Sequence, residues 1–209
     1  MPVSTDVTSA SAPQDAQAVR TIPWAPHPPI PERLLAGDTF VIVAAAEDPV
    51  PVRRSARPPR VVLQQAVDTE FGTTAMVDVR AAVAALSEDG TWVQTRFTAV
   101  VREVLRQGPG VPVDERLTAG RQIEFRLGGG EIVINGVRVR AGQSVVFPRG
   151  DYLVFVAHKS GSTWWTLSDQ PPLALRDGRL AVVPPSTSAL AGLRMTDVRS
   201  AARRANGSK

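Results

Sequence analysis

His27 and His158 are the only two imidazoles in 209 residues, and cysteine is absent. Those two facts remove the thiolate nucleophile, the disulfide and every Cys-based metal site. A Ser-His-acid triad would have to use His158, with a hydroxyl from Ser160, Ser162 or Ser168 and an acid such as Asp169. Residues so close along one turn rarely converge, because the three groups normally come from separated elements. There is also no G-x-S-x-G elbow. The distant histidines make no His-x-x-x-His pair, and the acids make no calcium-type loop. Asp114/Glu115 and Glu88/Asp89 are carboxylate pairs of the kind glycoside hydrolysis needs, but both lie in turns, where acids serve local hydrogen bonds. Gly128–Gly130 has the composition of a phosphate cradle without the Lys-Ser/Thr and helix that complete one, so it reads as a strand-to-strand turn. No catalytic residue, metal or cofactor is nominated.

The aromatic pair Trp164-Trp165 is the better candidate for recognition. Neighbours on a strand point to opposite faces, so at most one ring fills the core. The other is a platform for a sugar, base or peptide, or else packs under the N-terminal arm or the terminal helix. Arg138 and Arg140 share one face of a hairpin and would frame such a platform. These four residues form the expected ligand-binding set.

Charge points away from a nucleic-acid interface despite a pI near 10.5. Arg194–Lys209 alone carries a net +4, and Arg53, Arg54, Arg57 and Arg60 add another +4. With a total of +4, the rest of the chain is net −4. A nucleic-acid-binding fold puts its basic stripe on a folded face. Here the excess sits in a Pro-rich connector and a C-terminal tail.

The elements that must position these residues are mostly strands. Trp92–Leu105 alternates Val93, Thr95, Phe97, Ala99, Val101 and Leu105 against Gln94, Arg96, Thr98 and Arg102, with only Glu103 breaking the inward set. Period two over such a length predicts a long half-buried strand. Asn135-Gly136 between β-branched runs predicts a type I′ hairpin over Glu131–Arg140, and Asp177-Gly178 predicts a second. Arg121–Leu127 alternates, and Tyr152–His158 is a near-continuous apolar run suited to a central strand. Val61–Phe71 carries Val62, Leu63, Ala66 and Val67 at helical spacing before Gly72, and Thr74–Leu86 reads as a strand that bends. Thr196 is the expected cap of a terminal helix reaching about Ala205, with Val198, Ala201 and Ala202 as its apolar face.

Residues 1–35 read as a disordered or extended arm, rich in proline from Ile22 to Pro31. Residues 36–185 read as a β-barrel domain with a Pro/Arg-rich insertion at 48–60, and 186–209 as a helix with a basic tail. The expected class is mainly β: a small OB-like barrel, or a β-sandwich, with a short helix before it and a C-terminal helix. Phe97, Val101, Ile123, Phe125, Leu153 and Phe155 are expected to share its core. The start MPVSTDVTSA shows neither basic region nor apolar stretch, and no apolar run approaches a membrane span. The expectation is a soluble protein, cytoplasmic unless the true start lies upstream.

Three segments carry a resemblance: VREVLR at Val101–Arg106, LGGG at Leu127–Gly130 and FPRGDYLVF at Phe147–Phe155. Their order resembles a group of uncharacterised bacterial proteins, usually exported, over roughly Thr74–Val183. The resemblance implies an OB-like or netrin-module-like β-barrel and brings no known activity. The netrin-type protease inhibitors act through an N-terminal Cys, which this chain lacks. The expected function is a non-enzymatic β-barrel binding or structural accessory module, its partner a protein or extended ligand. The alternative is a nucleic-acid-binding OB-like domain.

Overall fold

The computed structural model describes residues 19–23, 30, 39–43, 57–141, 147–158, 165–167, 170–183 and 188–207. The architecture is mainly β, with a short helix ahead of the main sheet and another at the C-terminus. In chain order come β1 (Val19–Pro23), β2 (Thr39–Val43), α1 (Pro59–Val67), β3 (Gly72–Leu86), β4 (Val93–Gln107), β5 (Gln122–Gly128), β6 (Gly130–Ile134), β7 (Val137–Ala141), β8 (Gly150–His158), β9 (Trp165–Leu167), β10 (Leu173–Arg176), β11 (Arg179–Val182) and α2 (Met195–Gly207). A short 3₁₀ turn, Val113–Glu115, lies between β4 and β5.

Seven strands form the main sheet in the order β11-β10-β8-β3-β4-β5-β9. Its neighbours are antiparallel except β5 and β9. The sheet is not closed by full-length pairing: the three-residue β9 bridges its two sides, bonding to β5 at two positions and to β8 at three. A second sheet of four strands runs β1-β2-β7-β6. Both predicted hairpins form, with φ of 50° and 79° at Asn135-Gly136 and 49° and 72° at Asp177-Gly178. Positive φ at both central positions matches the strand twist and is tolerated best by Asn, Asp and Gly.

The long strands bend through bulges. Pairing of β3 with β4 skips a residue at Arg80, at Arg102 and at Leu105. Each extra residue inverts the alternation that follows it. This corrects the reading of β4 beyond Val101. Val104 faces the inner core, whereas Leu105, expected inward, packs on the helix side. Glu103 turns out to face outward, where its carboxylate accepts from the Arg199 guanidinium at 2.7 Å.

Three cores result. The inner one gathers Phe97, Val101, Ile123, Phe125, Tyr152, Val154, Val156 and Trp165 among others. On the outer face of β3 and β8, a second core places Met76, Leu153 and Phe155 under Leu63 and Val67 of α1 and Met195, Val198, Ala201 and Ala202 of α2. The third lies between the small sheet and the far ends of β3 and β4, around Val93, Val137 and Val139. The expectation of one shared core therefore fails for Leu153 and Phe155. Strand β8 runs between β10 and β3 and is buried on both faces, so alternate residues feed different cores.

Helix α1 opens with Pro59 in its first turn, where a missing N–H costs nothing. The start of α2 corrects another expectation: Thr196 lies inside the first turn. It is Asp197 whose Oδ2 accepts the Arg194 backbone N–H at 3.1 Å, the return half of a capping box.

Tyr152, the only tyrosine, is buried and donates its hydroxyl to the Pro148 carbonyl at 2.8 Å. Burial pushes its pKa above the ordinary 10.0, partly opposed by the Arg176 charge. Above pH 10 the unfolded chain therefore releases this proton before the folded one does, and stability falls as pH rises. With one tyrosine the tyrosinate absorbance reads this group alone. Its apparent pKa should exceed that of the protein unfolded in denaturant, and coincidence of the two would refute the burial argument. Tyr152→Phe should remove the tyrosinate's share of alkaline unfolding.

Candidate functional site

The site is built where four elements meet at one end of the inner core. Trp165 enters from β9, His158 ends β8, Glu115 comes from the 3₁₀ turn, and Arg121 precedes β5. The indole of Trp165 is 2% exposed and fills the end of the core. The His158 ring stands edge-on to it, with centroids 5.0 Å apart at 66°. The Arg121 guanidinium lies 5.9 Å from the indole centroid, while its Nη1 donates to the Arg116 carbonyl at 2.9 Å. The cation and the ring quadrupole attract at this range.

Nδ1 of His158 lies 2.9 Å from Oε1 of Glu115, both side chains being partly buried. The atoms are close but not aligned for a hydrogen bond. A carboxylate beside an imidazole orients the ring, as in a triad. Here its visible effect is to fasten the β4–β5 connection onto the end of β8. Gln107 fastens the same connection by a second route: its side-chain amide donates to the Leu117 carbonyl at 3.0 Å and accepts the Leu117 N–H at 2.7 Å. The acid facing His158 is thus Glu115 and comes from a separate element. Asp169, Ser160, Ser162, Ser168 and His27 lie outside the described residues.

The described members of the expected ligand-binding set, Trp165, Arg138 and Arg140, lie on two different sheets. Trp164 lies outside the described residues, and Trp165 is a core residue of the main sheet. Arg138 and Arg140 stand on β7 of the other sheet, exposed and side by side. Both face Glu131 across the hairpin, at 3.4 and 4.0 Å. Other sheet arginines are matched in the same manner. Arg80 and Arg102 share Asp78, and Arg126 bridges Glu88 and Glu124 at 2.8 Å each. The nearly buried Arg106 side chain meets Asp68 at 3.1 Å and donates to the Thr69 carbonyl at 2.8 Å.

Of the two carboxylate pairs, Glu88 and Glu115 reach Arg126 and His158 on other elements, and Asp89 is held by its own turn. Asp89 accepts from the Ser87 hydroxyl and the Thr91 N–H, which lowers its pKa. The Gly128–Gly130 step is a turn packed against the sheet: a Cβ on Gly130 would come within 3.0 Å of Ala84 and 3.1 Å of the Thr95 hydroxyl. Its φ of 141° is also one that side chains rarely adopt. Among the described residues, no cluster of three His, Asp or Glu could hold a metal, and no helix is long and apolar enough to cross a membrane. A polar cleft of about 410 Å³ runs between α1 and α2, lined by Arg60, Leu63, Asp197, Ser200 and Arg204. An apolar one of about 280 Å³ opens beside Ala66, Phe71 and Phe155.

Comparison with known proteins assigns no family. No family model matches the chain, and no curated protein matches it. Glu115 and Arg121 are the members of this site that the sequence does not point to. Nothing in their spacing signals the meeting, because four separate elements bring it about.

Proposed function

We propose that this protein is a non-enzymatic β-barrel module that binds a protein or another extended ligand, or serves as a structural accessory. The observation that carries this reading is the dispersal of the aromatic and basic groups among the described residues. A single-strand nucleic-acid site needs exposed rings interleaved with free cations along one groove. Here the Trp165 ring is internal, Arg138 and Arg140 lie on the other sheet, and Glu131, Asp78, Glu88, Glu124 and Glu103 offset the arginines beside them. A phosphate would have to displace a carboxylate at each position. The pairings that link β3, β4, β5, β9 and β8 and return to β3 support a five-stranded OB-like core.

A labelled single-stranded oligonucleotide titrated into the intact chain separates the readings. Any binding should be weak and vanish between about 50 and 200 mM salt, as diffuse charge attraction does. Selection from a displayed peptide library should instead enrich sequences that protect main-sheet amides from hydrogen exchange. Salt-resistant oligonucleotide binding that is lost in Arg138→Ala/Arg140→Ala, with no peptide enriched, would sink the proposal and favour the nucleic-acid alternative.

A further inference from the structure

Helices α1 and α2 each turn one stripe of side chains toward the cleft between them. Arg60, Leu63 and Gln64 lie at i, i+3 and i+4 on α1, and Asp197, Ser200 and Arg204 at i, i+3 and i+7 on α2. All of these but Gln64 line the cleft of about 410 Å³, and Leu63 is its buried apolar part. The Arg60 side chain is 82% exposed, and its Nη2 lies 3.8 Å from Oδ1 of Asp197, beyond hydrogen-bond length. The other oxygen of Asp197 already accepts the Arg194 N–H, and the positive end of the α2 dipole offsets part of that carboxylate's charge. Across the cleft, Arg204 donates from Nε and Nη2 to the Gln64 amide oxygen at 3.4 and 3.2 Å. A neutral amide orients a guanidinium without cancelling its charge. Arg57, three residues before Arg60, donates in the same way to the Gln65 amide at 3.0 Å. The Ser200 hydroxyl is spent on the Thr196 carbonyl at 2.8 Å. The two guanidinium groups therefore supply the donors of the cleft.

We propose that this cleft binds a phosphate monoester, clamped between Arg60 of α1 and Arg204 of α2. A guanidinium presents a planar fork of donors that matches phosphate oxygens. A phosphate monoester carries close to two negative charges at neutral pH, and two guanidinium groups match that charge. A carboxylate carries only one, and Asp197 already sets one beside Arg60. A volume of about 410 Å³ falls in the range of small-molecule sites, so the organic part of the ester has room beside Leu63. A small phosphorylated molecule and a phosphorylated side chain of another protein offer the same chemistry.

Calorimetric titration of the intact chain with phenyl phosphate and with a phosphoserine peptide should give saturable binding of one ligand per chain. Benzoate and the unphosphorylated peptide should bind much more weakly, and the tighter of the two esters identifies the source. Arg60→Ala and Arg204→Ala should each weaken the ester by about tenfold, the usual effect of losing a charge-assisted hydrogen bond. Arg149→Ala removes the same charge from an exposed turn elsewhere and should leave affinity unchanged. Asp197→Asn keeps an acceptor for the Arg194 N–H but removes the negative charge, so the ester should bind several-fold tighter. Arg60 is exposed, so the thermal transition of its variant should match the wild type. If Arg204→Ala unfolds, Arg60→Ala and Asp197→Asn decide. The proposal is overturned if neither ester binds, if benzoate equals phenyl phosphate, or if Arg149→Ala weakens binding as much as Arg60→Ala. A single-stranded oligonucleotide that displaces phenyl phosphate at about 200 mM salt would overturn it too, in favour of a nucleic-acid surface.

Discussion

Phe97→Ala should destabilise the domain by about 3–5 kcal/mol, the usual cost of removing a buried aromatic ring. Phe97 is wholly buried at the centre of the inner core. Its ring stacks on Phe125 with centroids 4.8 Å apart and planes 6° from parallel, and Phe147 meets it edge-on at 4.8 Å. Aromatic pairs of this geometry add about 0.5–1.5 kcal/mol beyond area burial, so the upper half of the range is expected. Residues on β4, β5 and β8 hold the surrounding wall, which limits collapse into the void. Chemical denaturation measures the effect as a lowered midpoint with an unchanged slope. A cost below about 1 kcal/mol would mean that Phe97 is not the packed centre described here.

Phe155→Ala should cost a similar amount, about 3–5 kcal/mol, for a different reason. This ring lies on the opposite side of the sheet, in the core that α1 and α2 cover. Its loss should loosen both helices, so far-UV helical signal should fall at lower denaturant in this variant. Phe97 and Phe155 stand on strands separated by β3, about two strand spacings apart and on opposite faces. The double variant should therefore be additive to within about 0.5 kcal/mol. Coupling much larger than that would show that the two rings belong to one core after all.

A consequence for any truncation follows from the second core. Leu190, Met195, Val198, Ala201 and Ala202 are buried there, and Arg204 hydrogen-bonds the Gln64 side chain of α1 at 3.2 Å. The helical part of the C-terminal region thus carries apolar packing as well as positive charge. Removing everything after Pro185 would expose the outer faces of β3 and β8. Charge-neutralising substitutions are the proper probe of the basic tail.

Local chemistry made much of this fold readable. The hairpins at Asn135-Gly136 and Asp177-Gly178, the turn at Glu88-Asp89-Gly90, and the alternation from Val93 to Val101 each depend on neighbours within a few residues. The apolar spacing of both helices is of the same kind. What was not readable depends on partners distant in the chain. Phase after Val101 changed because bulges at Arg102 and Leu105 arise from pairing with β3, and no residue within β4 announces them. Leu153 and Phe155 left the inner core because β8 is covered on both faces, and a continuous apolar run does not say which cover lies on which side. Trp165 met His158, Glu115 and Arg121 because β9 reaches across to both β5 and β8. Residue type and spacing determined most of the strands and turns of the main sheet and the existence of both helices, since those choices rest on backbone propensity and periodic burial. Val19–Pro23, read as part of an arm, is a strand only through its pairing with β2. Tertiary structure alone decided which face meets which core and which charges neutralise one another, because both depend on register between segments remote in sequence.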